Sequence, residues 1–338
     1  MRFVAQRVRA VVATGKRPAL LACASLLLLS ACGVASADHP VSLKPVDVIP
    51  KGAVVVPGTT TTTSPAGNCG DPTASLPPPT TMPTPGNMPT GSYMARILER
   101  GYLRVGVDQN TYLWGYRDPA TGSLTGFDIS MLQQVAQAIF GAPGHIRYVI
   151  VPNATRAQAV QSGLVDIVAE TMTITCTREK LVDFSTVYYE AGQQILVPTN
   201  SDITGKQDLT GKRVCAPAGS TSLQNLAALH EHIQLWAVNN ETDCLVMMEQ
   251  GQVDAISTDD AILQGLRAQD PNTQLVGQTF SSEPYGMAIS KAHPDFTSFV
   301  NGVLAQVRAN NTWTSIYDSN IFAVTGIPAP ALPAPRYR

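Results

Sequence analysis

Residues Leu103-Arg104-Val105-Gly106-Val107 are followed, after a polar loop, by Phe127-Asp128-Ile129-Ser130-Met131-Leu132-Gln133-Gln134-Val135-Ala136-Gln137-Ala138-Ile139-Phe140, and then by Ile146-Arg147-Tyr148-Val149-Ile150-Val151. The outer two are short apolar runs with β-branched residues, which read as strands. In the middle one Met131, Leu132, Val135 and Ile139 recur at a spacing of three and four, which places them on one face of a helix. The alternation continues along the chain. Strands are expected at 165–169, 194–197, 214–216, 235–238 and 255–257, with helices near 155–162, 221–230, 241–250 and 260–267. A further helix runs from Asp295, with Phe296, Phe299, Val303 and Val307 aligned. Strands alternating with helices predict an α/β fold with mostly parallel sheets, whose ligands bind beyond the carboxyl ends of the strands.

Outside this stretch, 338 residues leave room for two domains of ordinary size. Apolar residues make up 44% and charged ones 14%, which supports a core and excludes wholesale disorder. There are 23 basic and 25 acidic side chains, a net charge of −2. The first 31 residues hold five of the basic ones and none of the acidic, so the remainder carries 18 against 25, or −7. An acidic body without a basic patch excludes nucleic acid as a partner.

Residues 1–31 read as a signal peptide: a basic region ends at Lys16-Arg17, and an apolar stretch, too short to span a bilayer stably, follows from Ala19 to Leu29. Its end, Leu29-Ser30-Ala31-Cys32, resembles a bacterial lipobox. That resemblance implies cleavage before Cys32 and acylation of this cysteine, holding the protein at the outer face of the cell membrane. The plainer alternative is an ordinary signal peptide with an incidental cysteine.

With Cys23 in the discarded segment, four cysteines remain: Cys69, Cys176, Cys215 and Cys244. In an oxidising compartment they imply two disulfides, with three pairings possible. Cys215 with Cys244 is expected because both fall inside one compact region, leaving Cys69 to tie the linker down at Cys176. Free buried thiols are the alternative. No C-x-x-C pair exists and the five histidines are scattered, so neither a metal site nor a cofactor is expected. Residues 32–91 read as a linker that cannot fold alone, with twelve prolines in 40–90 and an unbroken threonine run from Thr59 to Thr63. Residues 326–338 read as a short second tail of the same kind.

Leu103–Val107, Gly126-Phe127-Asp128, Thr173-Ile174-Thr175 with Arg178, Val182-Asp183-Phe184-Ser185, Gln250-Gly251-Gln252-Val253-Asp254-Ala255 and Tyr285-Gly286-Met287-Ala288 resemble, in order, the motifs of one family. It is the extracytoplasmic amino-acid-binding proteins of ABC transporters, the polar amino acid group with the type II periplasmic-binding fold. The lipobox makes the whole similar to actinobacterial glutamine/glutamate-binding lipoproteins. The resemblance implies two lobes, each a sheet flanked by helices, joined by hinge crossings near 187–193 and 280–285. It implies a division into 92–190 and 283–325 for the first lobe and 191–282 for the second. It also implies a monomer that presents a polar amino acid (glutamate/aspartate or glutamine/asparagine) to an ABC permease.

A free amino acid is a zwitterion and needs a cation and an anion close together. An arginine fork suits its carboxylate, and Arg178 matches the family's carboxylate-binding arginine, with Thr173 beside it. Ser220, Thr221 and Ser222 open a helix, where unpaired amides favour an anion, although they also serve as N-caps. Asp259 matches the aspartate that receives the α-ammonium, and Asp260 is expected to cap the next helix instead. For the ligand side chain, Asp108 matches a position that faces the ligand in relatives. Asn153 stands where several relatives have an aromatic lid, and Thr171 replaces a common glycine. Asp108 and Glu170 favour an amide or a cation, whereas Arg117 and Arg156 favour a carboxylate. Trp114, Tyr112 and Tyr116 are candidate pocket walls or core.

Two other functions share these features. The same binding module can serve as a sensor for a membrane receptor. A few relatives are dehydratases, which need a general acid, and Glu170 is the one candidate for it. Other enzyme signatures (G-x-S-x-G, H-E-x-x-H, a phosphate-binding loop) are missing from the chain, and no catalysis is expected.

Overall fold

The computed structural model describes residues 48–57, 69–229 and 232–338. The signal peptide, Cys32, the threonine run and His230 lie outside the described residues. Val48–Arg338 forms one compact unit.

Two sheets organise it. The first has the order Ile146–Ile150, Leu103–Val107, Ile167–Val168, Ala288–Ile289, Asp183–Phe184. The second has the order Val54–Val55, Gln234–Val238, Arg213–Pro217, Ala255–Asp259, Gln193–Pro198, Thr273–Val276. In each, three neighbouring strands run parallel, and the strands beyond them pair antiparallel. Apart from Val54–Val55, which comes from the N-terminal linker, the antiparallel strands belong to segments that lead from or to the connection between the sheets. That connection is a two-stranded antiparallel ribbon of Tyr189–Ala191 and Glu283–Tyr285, with Ala191 opposite Glu283 and Tyr189 opposite Tyr285. These are the expected hinge crossings of a type II periplasmic-binding fold, with one lobe around each sheet.

The helix Phe127–Phe140 spans the expected residues and buries Met131, Leu132, Val135 and Ile139 in the first lobe, with Phe296, Phe299 and Val303 from Pro294–Ala309 in the same core. Burying one such side chain fully contributes roughly 1.5–3 kcal/mol. Leu103, Val105 and Val107 are fully buried, and Gly106 sits where a Cβ would come 2.6 Å from Val168. Cys215–Cys244 fastens the strand Arg213–Pro217 to the helix Glu241–Glu249 inside the second lobe, and Cys69–Cys176 ties the linker to the first.

The described parts of the proline-rich linker and tail dock on the folded body. Val54–Val55 extends the second sheet by pairing with Trp236 and Ala237. Ser75 is buried, donates to the Phe184 carbonyl at 2.6 Å and accepts from Asn301 at 2.8 Å. Arg336–Tyr337 pairs in parallel with Ala74–Ser75. Composition predicted that these segments cannot fold alone. It did not predict that their backbone groups find partners on a body already folded.

Candidate functional site

The cleft between the lobes closes over a cavity lined from both sides. From the first lobe, the one-turn helix Cys176–Glu179 carries Arg178, and Thr175 caps it by accepting from the Arg178 amide at 3.2 Å. The Arg178 guanidinium donates to the Thr173 carbonyl at 2.7 Å and, across the cleft, to the Gly219 carbonyl at 3.1 Å. Burial and the neighbouring Arg156 push Arg178 down to about 9. Arg178 is half-buried, and a cation in such a place gains from an anion.

From the second lobe, the loop at Gly219 leads into the helix Thr221–Ala228, capped by Ser220, whose hydroxyl accepts from the Leu223 amide at 3.0 Å. Gly219 has φ +75°, and a Cβ there would lie 2.6 Å from the Ala154 Cα of the opposite lobe, so only glycine lets the two backbones meet. Asp259 ends the strand Ala255–Asp259 and is buried, accepting from the Tyr285 hydroxyl at 2.6 Å and from Ser222 at 3.1 Å. Burial, with Glu283 nearby, pushes its carboxyl up to about 7. Asp260 accepts instead from the Ala261 amide at the helix start and from Gly192 at the hinge.

Asn153, Arg156, Thr171 and Glu241 line the same cavity. Asn153 donates to Glu241 at 2.8 Å, and Arg156 donates to the carbonyls of Asn153 and Glu170 at 3.0 and 2.7 Å. Burial, then Asp108, pushes Glu241 up to about 7. Thr171 has φ 42°, left-handed for a β-branched residue, with its amide held by Asp128 at 2.9 Å. The cavity volume is about 10 Å³, room for a single water. A zwitterion of amino-acid size therefore enters only when the lobes part.

The structure thus gathers Asn153, Arg156, Thr171, Thr173, Arg178, Ser220, Thr221 and Asp259 around one cavity. Four expected positions lie outside its lining. Asp108 turns back on its own loop, accepting from the Asn110 and Thr111 amides and the Thr111 hydroxyl, because a short carboxylate after a strand is easily satisfied locally. Trp114 is core, its indole donating to the Ala261 carbonyl of the other lobe at 3.0 Å. Arg117 is exposed and donates to Gln109 and the Gly122 carbonyl. Glu170 is buried with one carboxylate oxygen lacking a hydrogen-bond partner, and burial raises its carboxyl well above the ordinary value. Tyr112 and Tyr116 meet edge to face, ring centroids 5.0 Å apart.

Two carboxylates escaped the sequence reading. Glu241 follows Asn240 at a helix start, where an acid is usually solvated and only complements the helix dipole. Glu283 accepts from Thr173 and Thr221 at 2.7 Å each, one hydroxyl from either lobe, and from Ser281 at 2.6 Å. Its place in an expected hinge crossing was the one available signal.

Residues 103–322 match the family of bacterial extracellular solute-binding proteins, family 3, and the chain belongs to it. Its relatives include the ABC transporter glutamine-binding protein GlnH of Bacillus subtilis (strain 168), 36% identical over 225 residues, which span 66% of this chain and 82% of the relative. The glutamine-binding protein of Geobacillus stearothermophilus is 39% identical over 199 residues, spanning 59% of this chain and 76% of that one. Among solved structures, an ancestral arginine-binding protein bound to glutamine superposes with a TM-score of 0.61 at 33% identity, covering 66% of this chain and 98% of that one. The family and these relatives are solute-binding receptors, so this chain is a binding protein and not an enzyme. The dehydratase alternative falls with that.

Proposed function

We propose that the protein captures an amino acid with a neutral carboxamide side chain, glutamine foremost, by closing its lobes, and delivers it to an ABC importer. The observation that carries the reading is the shared cavity, with Arg178 from the first lobe and Asp259 from the second lining the same space. Arg178, Thr173, Ser220 and Thr221 would hold the α-carboxylate and Asp259 the α-ammonium, so the closed state alone makes every contact. The side-chain end supports an amide. It offers a carboxyl group, Glu241, and a cation, Arg156, together with Asn153. A carboxamide has two donors and one acceptor and no charge. A glutamate side chain would add a carboxylate beside Glu241, and an arginine side chain would add a guanidinium beside Arg156.

The same reading includes removal of residues 1–31, lipidation of Cys32 and a monomer on the outer face of the membrane. It divides the body at 92–190, 191–282 and 283–325. Among the described residues no helix is long and apolar enough to cross a membrane. The test is calorimetric titration of residues 33–338, freed of carried-over ligand by unfolding and refolding, against the twenty amino acids. Binding at micromolar Kd or tighter, about −8 kcal/mol or better, with glutamine first is expected. Silence across the panel from folded protein, or a preference for arginine, refutes it.

A further inference from the structure

The helix that carries Arg178 is a single turn, Cys176–Glu179, and so short a helix has little stability of its own. Both of its ends are fastened by residues outside the family-matched region 103–322. At the first residue, Cys176 is bonded to Cys69. At the last, the buried Glu179 pairs with the Arg338 guanidinium, which also donates to Asp183 at 3.1 Å. Lys291 donates to the same Asp183 oxygen at 3.0 Å. Arg338 is itself held in place: its amide donates to the Ser75 carbonyl at 2.9 Å, and the preceding residues pair with Ala74–Ser75. Arg336 forms an ion pair with Asp71 at 2.9 Å, two residues after Cys69.

We infer that the two flanking segments form a clasp behind the binding site, and that Arg338 is a positioning residue acting on Arg178 through Glu179. The inference rests on Arg178 meeting the ligand carboxylate. A one-turn helix held at both ends presents its arginine already ordered, so less side-chain and backbone freedom is lost when the ligand is captured. The proline-rich segments then contribute to affinity, beyond spacing the body from the membrane.

The experiment is calorimetric titration of residues 33–338 with glutamine, on the parent, on Arg338→Ala, Arg338→Lys, Arg178→Lys and Arg178→Ala singly, and on Arg338→Ala combined with Arg178→Lys. Arg338→Ala is expected to weaken binding about 3- to 10-fold in the parent and less than about 2-fold beside Arg178→Lys, because residues acting through one another do not add. Arg338→Lys, which keeps the charge, is expected to restore most of the loss. Where Arg338→Ala does not fold, Glu179→Gln takes its place. Equal losses in both backgrounds, or unchanged affinity in Arg338→Ala, overturn the inference. Unchanged affinity in Arg178→Lys and in Arg178→Ala overturns the reading of the site itself, a result distinguishable from the first two.

Discussion

Replacing Asp259 by asparagine separates the stability of the closed cleft from its function. Asp259 is buried at the end of its strand, and its carboxyl stands at about 7 against an ordinary 3.8. Between those two values the unfolded chain has released a proton that the folded chain still holds. Stability therefore falls as pH rises from about 4 to about 7. Roughly three units amount to ~4 kcal/mol. Asp259→Asn removes this ionisation, but turns an NH2 group toward one of the two hydroxyls, Tyr285 and Ser222, that now donate to the carboxylate. That mismatch costs ~1–2 kcal/mol. Without ligand, the variant is expected to be about 2–3 kcal/mol more stable than the parent at pH 8, and no more stable at pH 4. Its affinity for glutamine falls at least about 100-fold, since no anion remains for the ammonium. In the parent, binding demands ionised Asp259, so affinity drops by up to about tenfold per unit below pH 7, with protons released on binding. A residual slope in the variant reports the other buried carboxyls beside the cavity, Glu241 at about 7 and Asp128 at about 6. Denaturant unfolding at pH 4 and 8 and calorimetry from pH 5 to 8 measure both quantities. A variant no more stable at pH 8, or a parent affinity flat from pH 8 to pH 5, refutes the argument.

Arg178→Ala is expected to leave the fold intact by circular dichroism and to weaken binding by ~3 kcal/mol or more, over 100-fold by calorimetry, because a charge-assisted fork to the carboxylate is lost. Glu241→Gln removes the acid beside the ligand side chain and is expected to shift the glutamate-to-glutamine affinity ratio at least about tenfold toward glutamate, read by competition titration. The bond between Cys215 and Cys244 joins residues 29 apart in the chain. Its removal by the double serine variant is expected to cost about 3–4 kcal/mol in denaturant unfolding, whereas an unchanged midpoint would mean that the bond constrains nothing.

Much of the fold was legible because strands and helices announce themselves locally. The period of Phe127–Phe140 and the β-branched runs at 103–107 and 146–150 depend on residues within one turn or one strand of each other. The same holds for parts of the site. Arg178 stands in a recognisable motif, and Ser220 is both a helix cap and a lining residue. Asp108 and Arg117 lie outside the cavity lining for a related reason. Each stands in a loop near the site, and each finds its partners within that loop.

By itself the sequence determined the α/β architecture and the binding-protein family. Tertiary structure alone decided which polar groups are desolvated together. Glu241 meets Asn153 from 88 residues away, and Glu283 meets Thr173 from 110. The flanking proline-rich segments meet each other through Arg336 and Asp71, 265 residues apart. A carboxylate's protonation and selectivity follow from burial and from its neighbours, and chain folding, not chain order, sets both.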